Sequence, residues 1–260
     1  MAQVILVTND DGIHAAGVRA LAAALDELGE VYVIAPDREQ SAVGHALTLH
    51  RPLRADPVGE RRFAVNGTPS DCVNLAVLGL LPEPPVLVVS GINHGSNLGD
   101  DITYSGTVSA AMEGSLLGIP SMAVSQVDPP AGHDASGFAN AGQVARAIAA
   151  RLLVEGLPPQ TLLNVNVPRE RPAGVKFARL GHRVYRDKAV QNVDPRGRTY
   201  YWIGAGPPVW EDDTDSDIAA VHAGFVSVTP VQLDLTHHGA LRRMADWEGG
   251  LAAVLRPRLT

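Results

Sequence analysis

The chain has 260 residues, 45% of them hydrophobic, and a formal net charge of −7. That is ample apolar material for one large α/β domain without cross-links, and the acidic balance argues against a surface that binds polymeric nucleic acid through clustered Lys and Arg. Cys72 is the sole cysteine, which excludes an intramolecular disulfide and fits a reducing compartment. Set among apolar neighbours in a helical pattern, it reads as a buried structural thiol. Met1-Ala2-Gln3 runs straight into a short apolar strand with no basic-then-apolar leader, and no stretch is long enough to span a bilayer. The expectation is a cytoplasmic protein with no membrane partner.

Residues 4–7 form an apolar run ending in Thr8-Asn9-Asp10-Asp11-Gly12, the pattern of a strand buried on both faces that opens into a polar turn. Val18, Leu21, Ala22, Leu25 and Leu28 recur at helical spacing, Gly29 terminates them, and a strand follows at 31–35. This β-α-β unit implies parallel pairing with a right-handed crossover. The polar run 36–45 is too long for a plain connection, and strand-like alternation resumes at 46–53. Thr68 reads as an N-cap, Pro69 as the first helical residue and Asp71 as the closing member of a capping box, for a helix reaching Leu81. Residues 86–89 are a third buried strand, discharging into a polar segment that runs to Gly99. Ser105-Gly106-Thr107 precedes a small-residue helix over 108–117, and the alternation continues with a strand at 121–125, a helix at 138–153 and a strand at 161–167.

The expected fold is therefore α/β, a Rossmann-like doubly wound and mostly parallel sheet over residues 1–167. Residues 168–260 change texture to Pro, Gly and Arg clusters with strand-like 198–203 and 224–235. They are expected to supply core-completing strands and a C-terminal oligomerisation arm. The basic stretch 181–198 reads either as an extended hairpin or arm, or as a surface loop, and Glu211-Asp212-Asp213 as a solvated turn.

Three strand ends deliver the donors that a hard divalent cation prefers: carboxylates from Asp10 and Asp11, a hydroxyl from Ser41 and an amide oxygen from Asn93. In an open parallel sheet such residues converge outside the carboxyl edge of the strands. Taken alone, Asp10-Asp11-Gly12 is equally the commonest kind of turn; its place after a buried strand is what favours a site. Ser105-Gly106-Thr107 offers a helix N-terminus to an anion such as phosphate, or is simply a capped helix start. His45, in the loop with Ser41, is a candidate donor to a phosphate oxygen or leaving group, or makes a structural hydrogen bond. His14, His50 and His94 read as structural. Tyr104, Tyr185, Tyr200 and Trp202 could stack on a base or lie in the core. No GxGxxG or GxxxxGK[ST] follows a strand, and the adjacent acidic pair departs from the D-x-D of phosphatases that form an aspartyl-phosphate.

The blocks Ile5-Leu6-Val7-Thr8-Asn9-Asp10-Asp11-Gly12, Gln40-Ser41-Ala42-Val43-Gly44-His45, Gly67-Thr68-Pro69-Ser70-Asp71, Ser90-Gly91-Ile92-Asn93 and Ser105-Gly106-Thr107-Val108, in that order, resemble the SurE family of stationary-phase survival proteins. The resemblance implies a metal-dependent phosphomonoesterase that hydrolyses nucleoside 5′- and 3′-monophosphates, with short polyphosphate as a further candidate substrate. It implies one divalent ion per subunit, Mn²⁺ or Mg²⁺, on Asp10, Asp11, Ser41 and Asn93. Phosphate contacts are implied at Asn97, Ser105, Gly106 and Thr107, with Gly44 and His45 nearby and Asn9 beside the acidic pair. Asp10, Asp11 and His45 are the candidate catalytic residues. A homodimer or homotetramer with an exchanged C-terminal arm is the implied assembly. Two other classes fit acidic loops at strand ends: a metal-dependent nucleotide-sugar transferase and a non-catalytic anion-binding module.

Overall fold

The computed structural model describes residues 3–127, 135–184, 189–203, 209–211 and 213–255; Tyr185 and Asp212, singled out above, lie outside these. The chain begins with β1 (Val4–Thr8), α1 (Ala16–Leu25) and β2 (Glu30–Pro36), followed after a long loop by the hairpin β3 (Ala55–Gly59) and β4 (Arg62–Val65). α2 (Pro69–Leu75), β5 (Leu87–His94), α3 (Gly106–Leu116), β6 (Ser121–Gln126), α4 (Ala139–Glu155) and β7 (Thr161–Val167) complete the first part. Then come β8 (Val175–Phe177), β9 (Arg183–Val184), β10 (Val190–Val193), β11 (Thr199–Trp202), β12 (Val209–Trp210), α5 (Asp217–His222), β13 (Val226–Gln232), α6 (His238–Arg243) and α7 (Trp247–Leu255).

The main sheet has nine strands in the order β3-β4-β2-β1-β5-β6-β7-β13-β8. From β4 through β7 every pairing is parallel, while β3 and β13 run against their neighbours β4 and β7. Alternate residues of β1 serve opposite faces. Ile5 and Val7 join the cluster under α1 and α4, whereas Leu6 joins the one with Cys72 and Val73 of α2 and Ala110 of α3. Both faces are thus covered, which is why β1 reads as an unbroken apolar run, each fully buried Leu or Ile contributing roughly 1.5–3 kcal/mol. Burial also pushes the Cys72 thiol well above its ordinary range, as expected of a structural cysteine.

The Thr68 capping box is present, with the Asp71 amide donating to Thr68 Oγ1 and the Thr68 amide to Asp71 Oδ2. Two expectations differ. The helix predicted to reach Leu81 loosens after Leu75 into a single π-type turn over Ala76–Leu80. Residues 46–53 form no strand; this stretch is instead pinned by side chains, with the Thr48 amide donating to Asp71 Oδ1 and Thr68 Oγ1 donating to the Ala46 carbonyl. Alternation there marks a strap lying over the start of α2, and the strands come later, in β3 and β4. At the other edge β13 and β8, both beyond residue 167, extend the sheet. Among the described residues no helix is long and apolar enough to cross a membrane.

Candidate active site

From β1 the chain winds out through β2 to β4 on one side, then returns to continue from β5 on the other, so a crevice opens between the carboxyl ends of β1 and β5. The cavity there has a volume of about 730 Å³, the size of a small-molecule site. Asp10, Asp11, Ser41, Asn93, Asn97 and Ser105 all line it.

Asp10 is 5% exposed. Its Oδ1 accepts the hydroxyl of Thr107, and its carboxylate packs against Gly106, where a Cβ would stand 2.8 Å from Asp10 Cβ and 2.9 Å from Oδ2. The absent side chain lets the first turn of α3, with its unpaired amides, sit against the negative charge. Burial nevertheless dominates and pushes the Asp10 carboxyl from its ordinary 3.8 to about 6, with the Thr107 hydrogen bond opposing. Asp11 is likewise raised, first by burial, while the His94 amide at 3.1 Å works the other way. A β-bulge between Gly91 and Asn93 re-aims the end of β5. There Asn93 Nδ2 donates to the Gly95 carbonyl at 2.9 Å, which turns Oδ1 to within 3.3 Å of Thr107 Oγ1. One hydroxyl therefore reaches oxygens of both Asp10 and Asn93, which brings the ends of β1 and β5 together at a point.

Ser41 arrives on the loop after β2. That loop is tied to the site by the Gln40 amide on the Asp10 carbonyl (2.7 Å) and the Gly44 amide on the Tyr104 carbonyl (3.1 Å). Between them Ala42 holds a left-handed backbone, φ 57°, at a cost of about 1–2 kcal/mol. The Ser41 hydroxyl donates to Glu39 Oε1 at 2.6 Å, leaving its lone pairs available as acceptors.

The donor set fits a hard divalent cation. It comprises two carboxylates, a hydroxyl and an amide oxygen, and among the described residues no Arg or Lys offsets the charge of Asp10 or Asp11. Among those residues no three His, Cys, Asp or Glu side chains converge, so the site draws on neutral oxygens beside the acidic pair. Glu39 adds a further carboxylate to the cavity wall, as does Asp101, which is paired with Arg183. A wall this acidic would repel a bare phosphate, and a bound cation would reverse the local field.

The model for "Survival protein SurE" matches residues 5–187. The chain belongs to the SurE family. Among its relatives are proteins named 5′-nucleotidase SurE from Geotalea daltonii, 56% identical over 247 residues covering 94% of this chain and 98% of that one, and from Syntrophotalea carbinolica, 54% identical over 94% of this chain and 97% of the relative. The crystal structure of the SurE protein from Aquifex aeolicus is similar throughout, with a TM-score of 0.82 at 44% identity, covering 94% of this chain and 99% of that chain.

Within this SurE-family site, several residues expected at the ligand stand one layer back. Asn9, Gly44, His45, Gly106 and Thr107 are not among the residues lining the cavity. Asn9 is fully buried and closes the turn after β1 by donating to the Gly12 carbonyl at 3.0 Å. Gly44 holds the β2 loop to Tyr104, while Gly106 and Thr107 shape and hold Asp10. His45 points elsewhere: its Nε2 lies 2.6 Å from Glu113 Oε2 on α3. That hydrogen bond, ahead of any other cause, holds the Glu113 carboxyl below its usual range.

Asn97 does line the cavity, but its side chain donates to Ser125 Oγ at 2.7 Å, and its backbone is gripped by Asn164 and Asn166 of β7. Sequence reasoning gave those two asparagines no role. Their signal was polar residues at alternate positions of the otherwise apolar strand Leu162–Val167. It also read His14 and His94 as structural and passed over Phe138, yet all three line the cavity, with the His94 and Phe138 rings edge to face at 6.5 Å. Tyr104 also lines the cavity. Tyr200 and Trp202 are exposed on β11, away from the cavity.

The His45–Glu113 pair leads to a test. Losing a general acid costs about 10²–10⁴-fold in rate; His45→Ala is expected to lose less than about tenfold. The same variant should lower stability at neutral pH by roughly 1 kcal/mol, since His45 is partly exposed. Because the folded-state Glu113 value is depressed, this contribution exists above the ordinary Glu value and vanishes as pH falls through the lowered one. Urea melts at neutral and acid pH, alongside kcat, check both.

Proposed function

We propose that the protein is a metal-dependent 5′-nucleotidase, a phosphomonoesterase that hydrolyses nucleoside 5′- and 3′-monophosphates, with short polyphosphate as a further substrate. The observation that carries this reading is a buried Asp10 and a half-buried Asp11, uncompensated among the described residues, lining one cavity with Asn93 and Ser41 at the switch point of the sheet. The names of the 5′-nucleotidase relatives and the similarity along nearly the whole chain support it. Asp10, Asp11, Ser41 and Asn93 would hold one Mn²⁺ or Mg²⁺ per subunit. When bound, that ion supplies charge neutralisation for the phosphate and a more acidic water for attack on phosphorus.

The chain's own residues do the rest. Thr107 and the His94 amide fix the two carboxylates in orientation. Asn97 and Ser105 offer polar groups on the cavity lining to the charge that grows on the equatorial oxygens in phosphoryl transfer. Tyr104, or the His94–Phe138 pair, presents a flat apolar face to the nucleobase. His45 has no place at the reacting atoms in this mechanism.

The catalytic core is residues 1–167. Residues 168–260 supply sheet-completing strands and an oligomerisation arm for a homodimer or homotetramer; the exposed aromatic side chains of Tyr200, Tyr201 and Trp202 on the β10–β11 hairpin support that role. The cytoplasm is its expected location by likeness to the SurE family.

The test is release of inorganic phosphate from a panel of nucleoside monophosphates after EDTA treatment, with Mn²⁺ or Mg²⁺ added back and no acceptor present. Metal-restored phosphate release is expected. A requirement for a sugar acceptor would point to a transferase, and nucleotide binding without turnover to a binding module; either would end the nucleotidase reading.

A further inference from the structure

Asp101 is a carboxylate on the cavity wall that the reaction does not call for. It lies in the segment that also supplies Asn97, Tyr104 and Ser105. Left bare, it would repel a phosphomonoester dianion. It is not bare. Arg183, 82 residues further along the chain, sends Nη1 to both Asp101 oxygens at 3.0 and 3.1 Å, and its backbone amide donates to Asp100 Oδ2 at 3.0 Å. Both side chains of the pair are largely shielded, at 18% and 27% exposed, so the charges are screened weakly by salt. Arg183 itself does not line the cavity. It acts on the site through Asp101.

The strand that presents Arg183 is held in register by Asp217. This fully buried carboxylate accepts the amides of Gly99, Gly181 and Ile218, each at 2.9 Å. It thus joins the backbone just before Asp100 to the backbone just before Arg183. The two segments touch at the glycines, where a Cβ on Gly99 would come within 2.7 Å of the Gly181 carbonyl oxygen. Leu98 packs beside them against Ile218 and Val221. Such a three-amide clamp leaves little freedom in where the guanidinium stands.

We propose that Arg183 is a positioning residue for phosphate binding, a charge shield that cancels Asp101 at the cavity wall. The inference rests on the nucleotidase reading above. It gives the C-terminal region a role in substrate affinity that is independent of assembly.

Steady-state phosphate release from AMP at saturating Mn²⁺ tests it, beside calorimetric binding of inorganic phosphate to the Mn²⁺-loaded protein. Arg183→Met should raise KM and the phosphate Kd about tenfold, with kcat falling less than about threefold. Adding Asp101→Asn to that variant should return KM to within about twofold of the wild-type value, since the repelling charge is then gone. A purely mechanical anchor would show no such rescue, because the double variant lacks the ion pair as well. Asp101→Asn alone should lower KM below wild type, and it carries the test if Arg183→Met does not fold. An unchanged KM in Arg183→Met, a defect that Asp101→Asn does not repair, or a raised KM in Asp101→Asn alone would overturn the proposal. If the wild type shows no turnover yet phosphate Kd follows the stated order, the nucleotidase reading fails and the shield stands.

Discussion

Asp10→Asn is expected to abolish phosphate release and, in the metal-free protein, to make the fold more stable. The two effects share one cause. Asp10 is forced into a buried position where its carboxyl is raised from 3.8 to about 6, so the folded chain binds a proton that the unfolded chain has released. The sign follows: for an acid raised in the folded state, stability falls as pH climbs from the ordinary Asp value through the raised one, and stays low above it. A shift of that size corresponds to about 3 kcal/mol at neutral pH, and an Asn, which carries no charge, should recover roughly 1–3 kcal/mol of it. Asn Oδ1 can still accept the Thr107 hydroxyl, so the local geometry survives. The gain should vanish below the ordinary Asp range, where the wild-type group is protonated in both states. Added Mn²⁺ should raise the Tm of the wild type and leave that of the variant nearly unmoved. Turnover retained by Asp10→Asn at saturating metal, or a variant less stable than the metal-free wild type at neutral pH, would remove Asp10 from its assigned role.

The same unfavourable placement of charge made the acidic pair legible in the sequence. Asp10 and Asp11 stand directly after a strand that is apolar at every position, and nothing in a packed core calls for two adjacent charges there. Local chemistry was equally readable at Thr68–Asp71, where one capping box sets a helix start, and in β7, whose bounds match the expected strand. What could not be read has a common character. Arg183 meets Asp101 and His45 meets Glu113 across 82 and 68 residues, and no periodicity records a polar pair of that span. For His45 the neighbours Gly44 and Ser41 left two roles open, a donor to the ligand or a structural hydrogen bond; the loop's backbone turns, with Ala42 and Gly44 both left-handed, and sets Ser41 on the cavity and His45 against Glu113 of α3. The β3–β4 hairpin escaped because its strands are short, and β3 is mostly exposed and carries Pro57, so burial writes little into their sequence. The alternation at 46–53 was real but described a strap that satisfies its polar groups through side chains of α2.

Gly106→Ala sets two effects of opposite sign against each other. Gly106 is the first residue of α3 and has no positive φ, so Ala is compatible with its backbone and would ordinarily stabilise by about 0.4–1 kcal/mol. Here the new Cβ would meet Asp10 at 2.8 Å from Cβ and 2.9 Å from Oδ2, separations that force a shift. Asp10 has little room to give, since its carbonyl holds the Gln40 amide and its strand is buried on both sides. Either the helix start lifts away or the carboxylate swings. Overpacking of this kind costs roughly 1–3 kcal/mol, enough to outweigh the backbone gain. The larger consequence falls on activity, because a displacement of about 1 Å at a reacting centre is worth about 10²-fold. The variant should therefore lose about 10²-fold in kcat with only a modest fall in Tm. Gly79→Ala, at a position with no atom within 4 Å of the added Cβ, should leave turnover intact. Full turnover by Gly106→Ala would mean that the contact between α3 and Asp10 does not set the geometry of the site.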